Sequence, residues 1–147
     1  MKPAPTPPFD FYHTQMINVP VTVVMVAPGA GNAGPGKEYQ VQCGDITVSY
    51  KNTIINFRLV PPTDPSIVFQ GFTPRHASEF SPPSLSVDQK MITFSDLNSK
   101  KAVLDISLQF EQLLKDGQNG HRQIFDYDPQ VGNDPVVLDP PPAANPR

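Results

Sequence analysis

Ile17, Val19, Val21, Val23 and Met25 occupy every second position of one short segment, and Ala102, Leu104, Ile106, Leu108 and Phe110 repeat the pattern far downstream. A period of two sends one set of side chains to one face of a strand, so these segments are built to bury one face of a sheet. The chain has 19 Pro and 9 Gly to break such runs into short pieces. The pattern predicts an all-β fold, an immunoglobulin-like or related Greek-key β-sandwich of about seven or eight short strands.

The first strand is expected over about Met16 to Val26, with Pro20 making it an edge strand or marking a bulge, since proline cannot donate to a ladder. Alternation continues in Tyr39, Val41 and Cys43 and, after Gly44, in Ile46, Val48 and Tyr50, which make one bent strand or two short ones, and then in Ile55, Phe57 and Leu59. Lys51-Asn52 is the turn between the last two groups. Further short strands are expected at Ile67 to Phe72, Leu85 to Val87, Met91 to Phe94 and Gln123 to Tyr127. Residues 101–115 also fit a helical stripe through Val103, Ile106, Phe110 and Leu113. Five apolar residues alternate there without a miss, which favours a strand through Phe110 and leaves at most one helical turn over Glu111 to Lys115.

The 147 residues suit a single domain, expected over residues 9–138, with an extended Pro-rich lead-in at 1–8 and a Pro-rich tail at 139–147. A net charge of −3 offers no general attraction for nucleic acid or an anionic membrane, so neither is an expected partner. One cysteine, Cys43, cannot close an internal disulfide and fits a reducing compartment. No signal-peptide pattern is visible at the start, and the apolar stretch from Val19 to Ala27 is interrupted by Pro20 and far too short for a membrane helix. The expected location is the cytoplasm.

Gly29-Ala30-Gly31-Asn32-Ala33-Gly34 spells GxGxxG. A dinucleotide site needs a helix starting inside that motif, whereas Pro35-Gly36 follows here, so an inter-strand loop is expected, with no cofactor and with Gly31→Ala tolerated. Asp126, Asp128 and Asp134 are the candidate calcium ligands, in a loop whose sixth and twelfth positions exclude the helix-flanked calcium motif. The favoured reading of that loop is a closing turn, in which Asn133 holds the backbone through its side chain and Asn133→Ala costs about 1 kcal/mol. His13, His76 and His121 are widely spaced, and a copper site combining Cys43, His76, His121 and Met91 has its residues in the wrong order; Cys43 reads as a buried structural thiol. No GxSxG or paired Cys and His is present, so no catalytic residue is assigned. Arg75, His76 and Glu79 fit a solvated loop better than a polar patch, and the aromatics fit a core better than a sugar platform.

The run Ile124-Phe125-Asp126-Tyr127-Asp128-Pro129-Gln130-Val131-Gly132-Asn133-Asp134-Pro135, with its D-P-x-V-x-N-x-P signature, resembles the DP-EP family of small β-rich bacterial proteins. The preceding strand, turn and strand from Ala102 to Tyr127 also resemble that family, and the resemblance implies an unknown function. A sandwich scaffold by itself specifies no activity. The leading expectation is a non-enzymatic module that binds a partner protein or its own copy through an exposed strand edge or loop face. A carbohydrate- or calcium-binding sandwich and a small enzyme with an unrecognised site are the alternatives.

Overall fold

The computed structural model describes residues 15–74, 78–113 and 123–135. Ten strands follow in order: β1 (Met16–Met25), β2 (Tyr39–Cys43), β3 (Ile46–Val48), β4 (Thr53–Leu59), β5 (Ile67–Pro74), β6 (Ser84–Leu85), β7 (Met91–Asp96), β8 (Ala102–Gln112), β9 (Gln123–Tyr127) and β10 (Gln130–Asn133). One sheet runs β2-β1-β4-β7-β6 and the other β3-β10-β8-β5, with β9 also paired to β8. The fold is an all-β sandwich, and the count exceeds the expected seven or eight. The bent run from Tyr39 onward divides into β2 and β3, β6 is only two residues long, and β10 has a single large apolar residue to announce it.

Alternation decides the ambiguous segment. β8 is a strand through Gln112, so Glu111 and Gln112 extend the sheet and do not start a helical turn; the rest of that turn, beyond Leu113, lies outside the described residues. Leu104, Ile106, Leu108 and Phe110 all point inward and are essentially inaccessible to water. Opposite them, Val21, Val23, Ile55, Phe57 and Ile92 close the core from the other sheet. Rings join the two layers: Tyr39 stacks on Phe125 at 3.9 Å and Phe72 on Phe94 at 4.3 Å, while Phe125 stacks on Phe110, its neighbour in the same sheet, at 5.2 Å. Burying each Phe contributes about 1.5–3 kcal/mol, so the interface between the sheets is the main stabilising element.

Pro20 lies in an interior strand, at the point where its pairing changes. β1 pairs in parallel with β4 over residues 16–21 and antiparallel with β2 over 21–25, ending at Val21 opposite Cys43. Val60 N donates to Val21 O, and Val23 N donates to the Thr63 hydroxyl at 2.9 Å, so the polar groups of odd residues face β4. The nitrogen of Pro20 therefore faces the β2 side, where a continued ladder would set it opposite Gly44 and need an N–H it lacks. The ladder stops there, and the chain crosses to the other sheet as β3, parallel to β10.

The glycine motif covers the outer edge of β2. Asn32 uses its carboxamide as a strand would use a peptide group: Oδ1 accepts from Val41 N at 2.7 Å and Nδ2 donates to Val41 O at 2.9 Å. Asn32 N and Ala33 N both donate to Tyr39 O. This corrects the expectation for Gly31. A methyl group there would stand 2.6 Å from the Tyr39 carbonyl carbon and 2.8 Å from Lys37 O, both backbone atoms, so alanine forces the loop off the strand it protects.

Candidate functional site

Two features of the fold gather polar groups apart from the apolar core. The first is the opening left where β1 and the β2–β3 connection separate. Ile17, Asn18, Val19, Pro20, Gly44, Asp45, Ile46 and Thr47 line a cleft of about 340 Å³. These are the residues that would face each other if the β1–β2 register continued. The alternation that turns odd residues of β1 toward β4 turns the N–H and C=O of Asn18 into the cleft. On the opposite wall, Asp134 N donates to Val48 O, so even residues of β3 face β10 and the polar groups of Thr47 face the cleft.

The second is a buried junction of carboxyl and amide groups between the sheets. Asp96 ends β7, Asn133 ends β10, Asn98 follows β7 in a left-handed conformation (φ 53°), and Glu79 lies in the turn before Phe80. Asp96 and Asn98 are fully buried and Asn133 and Glu79 nearly so. Asn133 Nδ2 donates to Asp96 Oδ1 at 3.0 Å and to Glu79 Oε1 at 3.3 Å. Asn98 N also donates to Asp96 Oδ1 at 2.9 Å, and Asn98 Nδ2 donates to Val48 O at 3.2 Å. Glu79 receives Ser99 N on Oε1 at 2.9 Å and the Ser99 hydroxyl on Oε2 at 2.7 Å. The Ser99 hydroxyl, ahead of the opposing effect of burial, holds Glu79 below the usual carboxylate range, with Ser99 N, Lys100 and Asn133 acting in the same direction. Burial raises Asp96 instead, against its hydrogen bonds from Asn133 and Asn98, and the Glu79 charge adds to the rise.

Glu79 is thus not in a solvated loop. Its neighbours Arg75 and His76, like His13 and His121, lie outside the described residues. Asn133, the other junction residue singled out in the sequence, bonds carboxyl groups and not backbone, and Gln130 to Asn133 form a strand where a turn was expected. Asp96 and Asn98 carried no signal beyond a turn composition. The calcium candidates are not brought together: Asp126 is opposite Gln109 on β8, while Asp134 follows Asn133, which is opposite Ala102 at the other end of that strand. At about 3.3 Å per residue the two are about 25 Å apart along the sheet. Asp126, Asp128 and Asp134 are all exposed, and no group of three or more His, Cys, Asp or Glu residues among the described residues could hold a metal ion. Cys43 is partly buried against the core, and burial, aided by the Asp45 charge, pushes its thiol up to about 12.

The D-P-x-V-x-N-x-P run has a definite structural meaning. Asp128-Pro129 separates β9 from β10, Val131 is fully buried, and Asn133 reaches the two carboxyl groups of the opposite layer. The DP-EP family model matches residues 11–135, most of the chain and all of the described strands. The chain belongs to the DP-EP family. The D-P-x-V-x-N-x-P run supplies a strand and one arm of the buried junction. Comparison with curated proteins gives no match. Among the described residues no helix is long and apolar enough to cross a membrane.

Proposed function

We propose that this domain is a non-enzymatic interaction module, acting in the bacterial cytoplasm, that binds an extended segment of a partner protein in the cleft between β1 and β3. One observation carries the proposal: the cleft has an open strand edge on each wall, with the polar backbone groups of Asn18 on one side and Thr47 on the other. An added strand would pair with both and close the sandwich where its own ladder divides, as in other cases of strand addition. The covering of β2 by Asn32 supports this choice of edge, since it blocks the neighbouring edge at Tyr39 and Val41. Pro20 restricts the geometry, because it offers the cleft a carbonyl and no N–H.

The test is selection of displayed extended peptides on the immobilised protein, followed by titration of the best binder into the wild type and into Asn18→Pro. Proline at residue 18 removes a donor facing the cleft and none facing β4. An affinity loss of about tenfold, one charge-free hydrogen bond's worth, supports the proposal. Binding unchanged in Asn18→Pro contradicts it. A mass that rises with concentration in sedimentation equilibrium identifies the segment as belonging to a second copy.

A further inference from the structure

The buried junction presents an excess of acceptors. Asp96 Oδ2, Asn98 Oδ1 and Asn133 Oδ1 are each shielded from water and have no hydrogen-bond partner. The junction's own amide donors are already committed: Asn133 Nδ2 to the two carboxyl groups, Asn98 N to Asp96 Oδ1, and Asn98 Nδ2 to Val48 O and Tyr50 O. An unmet buried acceptor costs about 1–3 kcal/mol, and an ionised one costs more. The two carboxyl groups differ in how well they support a charge. Glu79 receives three donors over its two oxygens, whereas Asp96 receives two, both on Oδ1. Because one nitrogen bonds both, they lie within about 6 Å of each other, close enough that ionising one opposes ionising the other.

We propose that Asp96 is a neutral carboxylic acid in the folded protein, with its proton on Oδ2 donated to a flanking asparagine carbonyl, and that loss of this proton loosens the junction between the sheets. One proton removes the buried charge and supplies the missing donor in a single step. Asn98 through its backbone N and Asn133 through Nδ2 both bond Asp96 Oδ1, and each carries a buried side-chain oxygen that has no other partner. The charged groups around Asp96 among the described residues are Glu79 from the preceding turn and, beyond it, Lys100; Asn133 of β10 and Thr53 of β4 face it as neutral groups. The direction of linkage follows. The folded protein retains a proton that the unfolded chain has released, so stability from Asp96 is complete below the ordinary aspartate range and is lost as pH rises through the higher folded value. Glu79 has the opposite sign and loses its contribution as pH falls. Together they favour the junction at mildly acidic pH and weaken it on the alkaline side.

Two measurements on the full chain test this. Carbon-detected NMR titration of the side-chain carboxyl groups should show Glu79 ionising below, and Asp96 above, the ordinary range for each. Thermal unfolding of wild type and Asp96→Asn should show the variant, which carries a permanent donor in place of the proton, melting higher at pH 8 by about 2–4 °C and converging on wild type in acid. An Asp96 that ionises at or below the ordinary range overturns the proposal, even if the variant fails to fold. Equal destabilisation of Asp96→Asn at every pH also overturns it. A melting temperature raised by millimolar calcium in wild type and not in Asp96→Asn would assign the junction to a cation and exclude the proton.

Discussion

Replacing Asn133 with alanine removes the one side chain that bridges Asp96 at the end of β7 and Glu79 from the far end of β10. The bond to Glu79 goes to a carboxylate and is long at 3.3 Å, so about 1.5 kcal/mol is a fair value for it; the 3.0 Å bond to Asp96 adds about 1 kcal/mol. The space left by the carboxamide adds roughly another 1 kcal/mol, since the junction is fully enclosed. Against this, alanine removes one unpartnered oxygen, Asn133 Oδ1, and recovers about 1 kcal/mol. The net loss is about 2–3 kcal/mol, more than the roughly 1 kcal/mol expected for a side chain that merely holds a turn. Urea unfolding at neutral pH, followed by far-ultraviolet circular dichroism, measures it directly. A loss below about 0.5 kcal/mol, with an unchanged slope, would show that the junction does not bind the sheets together.

Gly31→Ala should cost about 1–3 kcal/mol by forcing the loop from the edge of β2, and should increase exchange of the Val41 amide; retention of wild-type stability would contradict the close approach to Tyr39. Phe125→Ala should lose about 3–5 kcal/mol, because its ring lies between Tyr39 and Phe110, and a loss of under 1 kcal/mol in a denaturant titration would remove β9 from the core. Cys43 should label slowly in native buffer at pH 8 and rapidly after unfolding, since its raised pKa leaves little thiolate; equal rates in the two states would refute its partial burial.

Strands whose inward positions are nearly all apolar were legible in the sequence, β1 and β8 most clearly, because alternation is what a half-buried strand requires. β10 was not, since Gln130, Gly132 and Asn133 surround Val131 and its pairing is set by β3 and β8 rather than by propensity. Pro20 announced a break in pairing but not its form: whether a ladder bulges, ends or divides depends on where Gly44 and β3 go, a non-local fact. The glycine motif hid its use for a similar reason, as Gly31 is needed for close approach to a strand that lies after it in the chain. The junction was least legible. Glu79, Asp96 and Asn98 are polar residues in turn-like contexts, and only the packing of two sheets converts them from solvated groups into buried ones.

Amide hydrogen exchange at Asn18 and Thr47, read by NMR with and without a selected extended peptide, tests the divided ladder and its proposed use together. In the free protein both amides should exchange quickly, while Val23, bonded to Thr63, and Val41, bonded to Asn32, exchange slowly. Saturating peptide should slow Asn18 and Thr47 and leave the other two unchanged. Amides of Asn18 and Thr47 already protected in the free protein, or still fast with the peptide bound, would contradict a cleft that receives a strand.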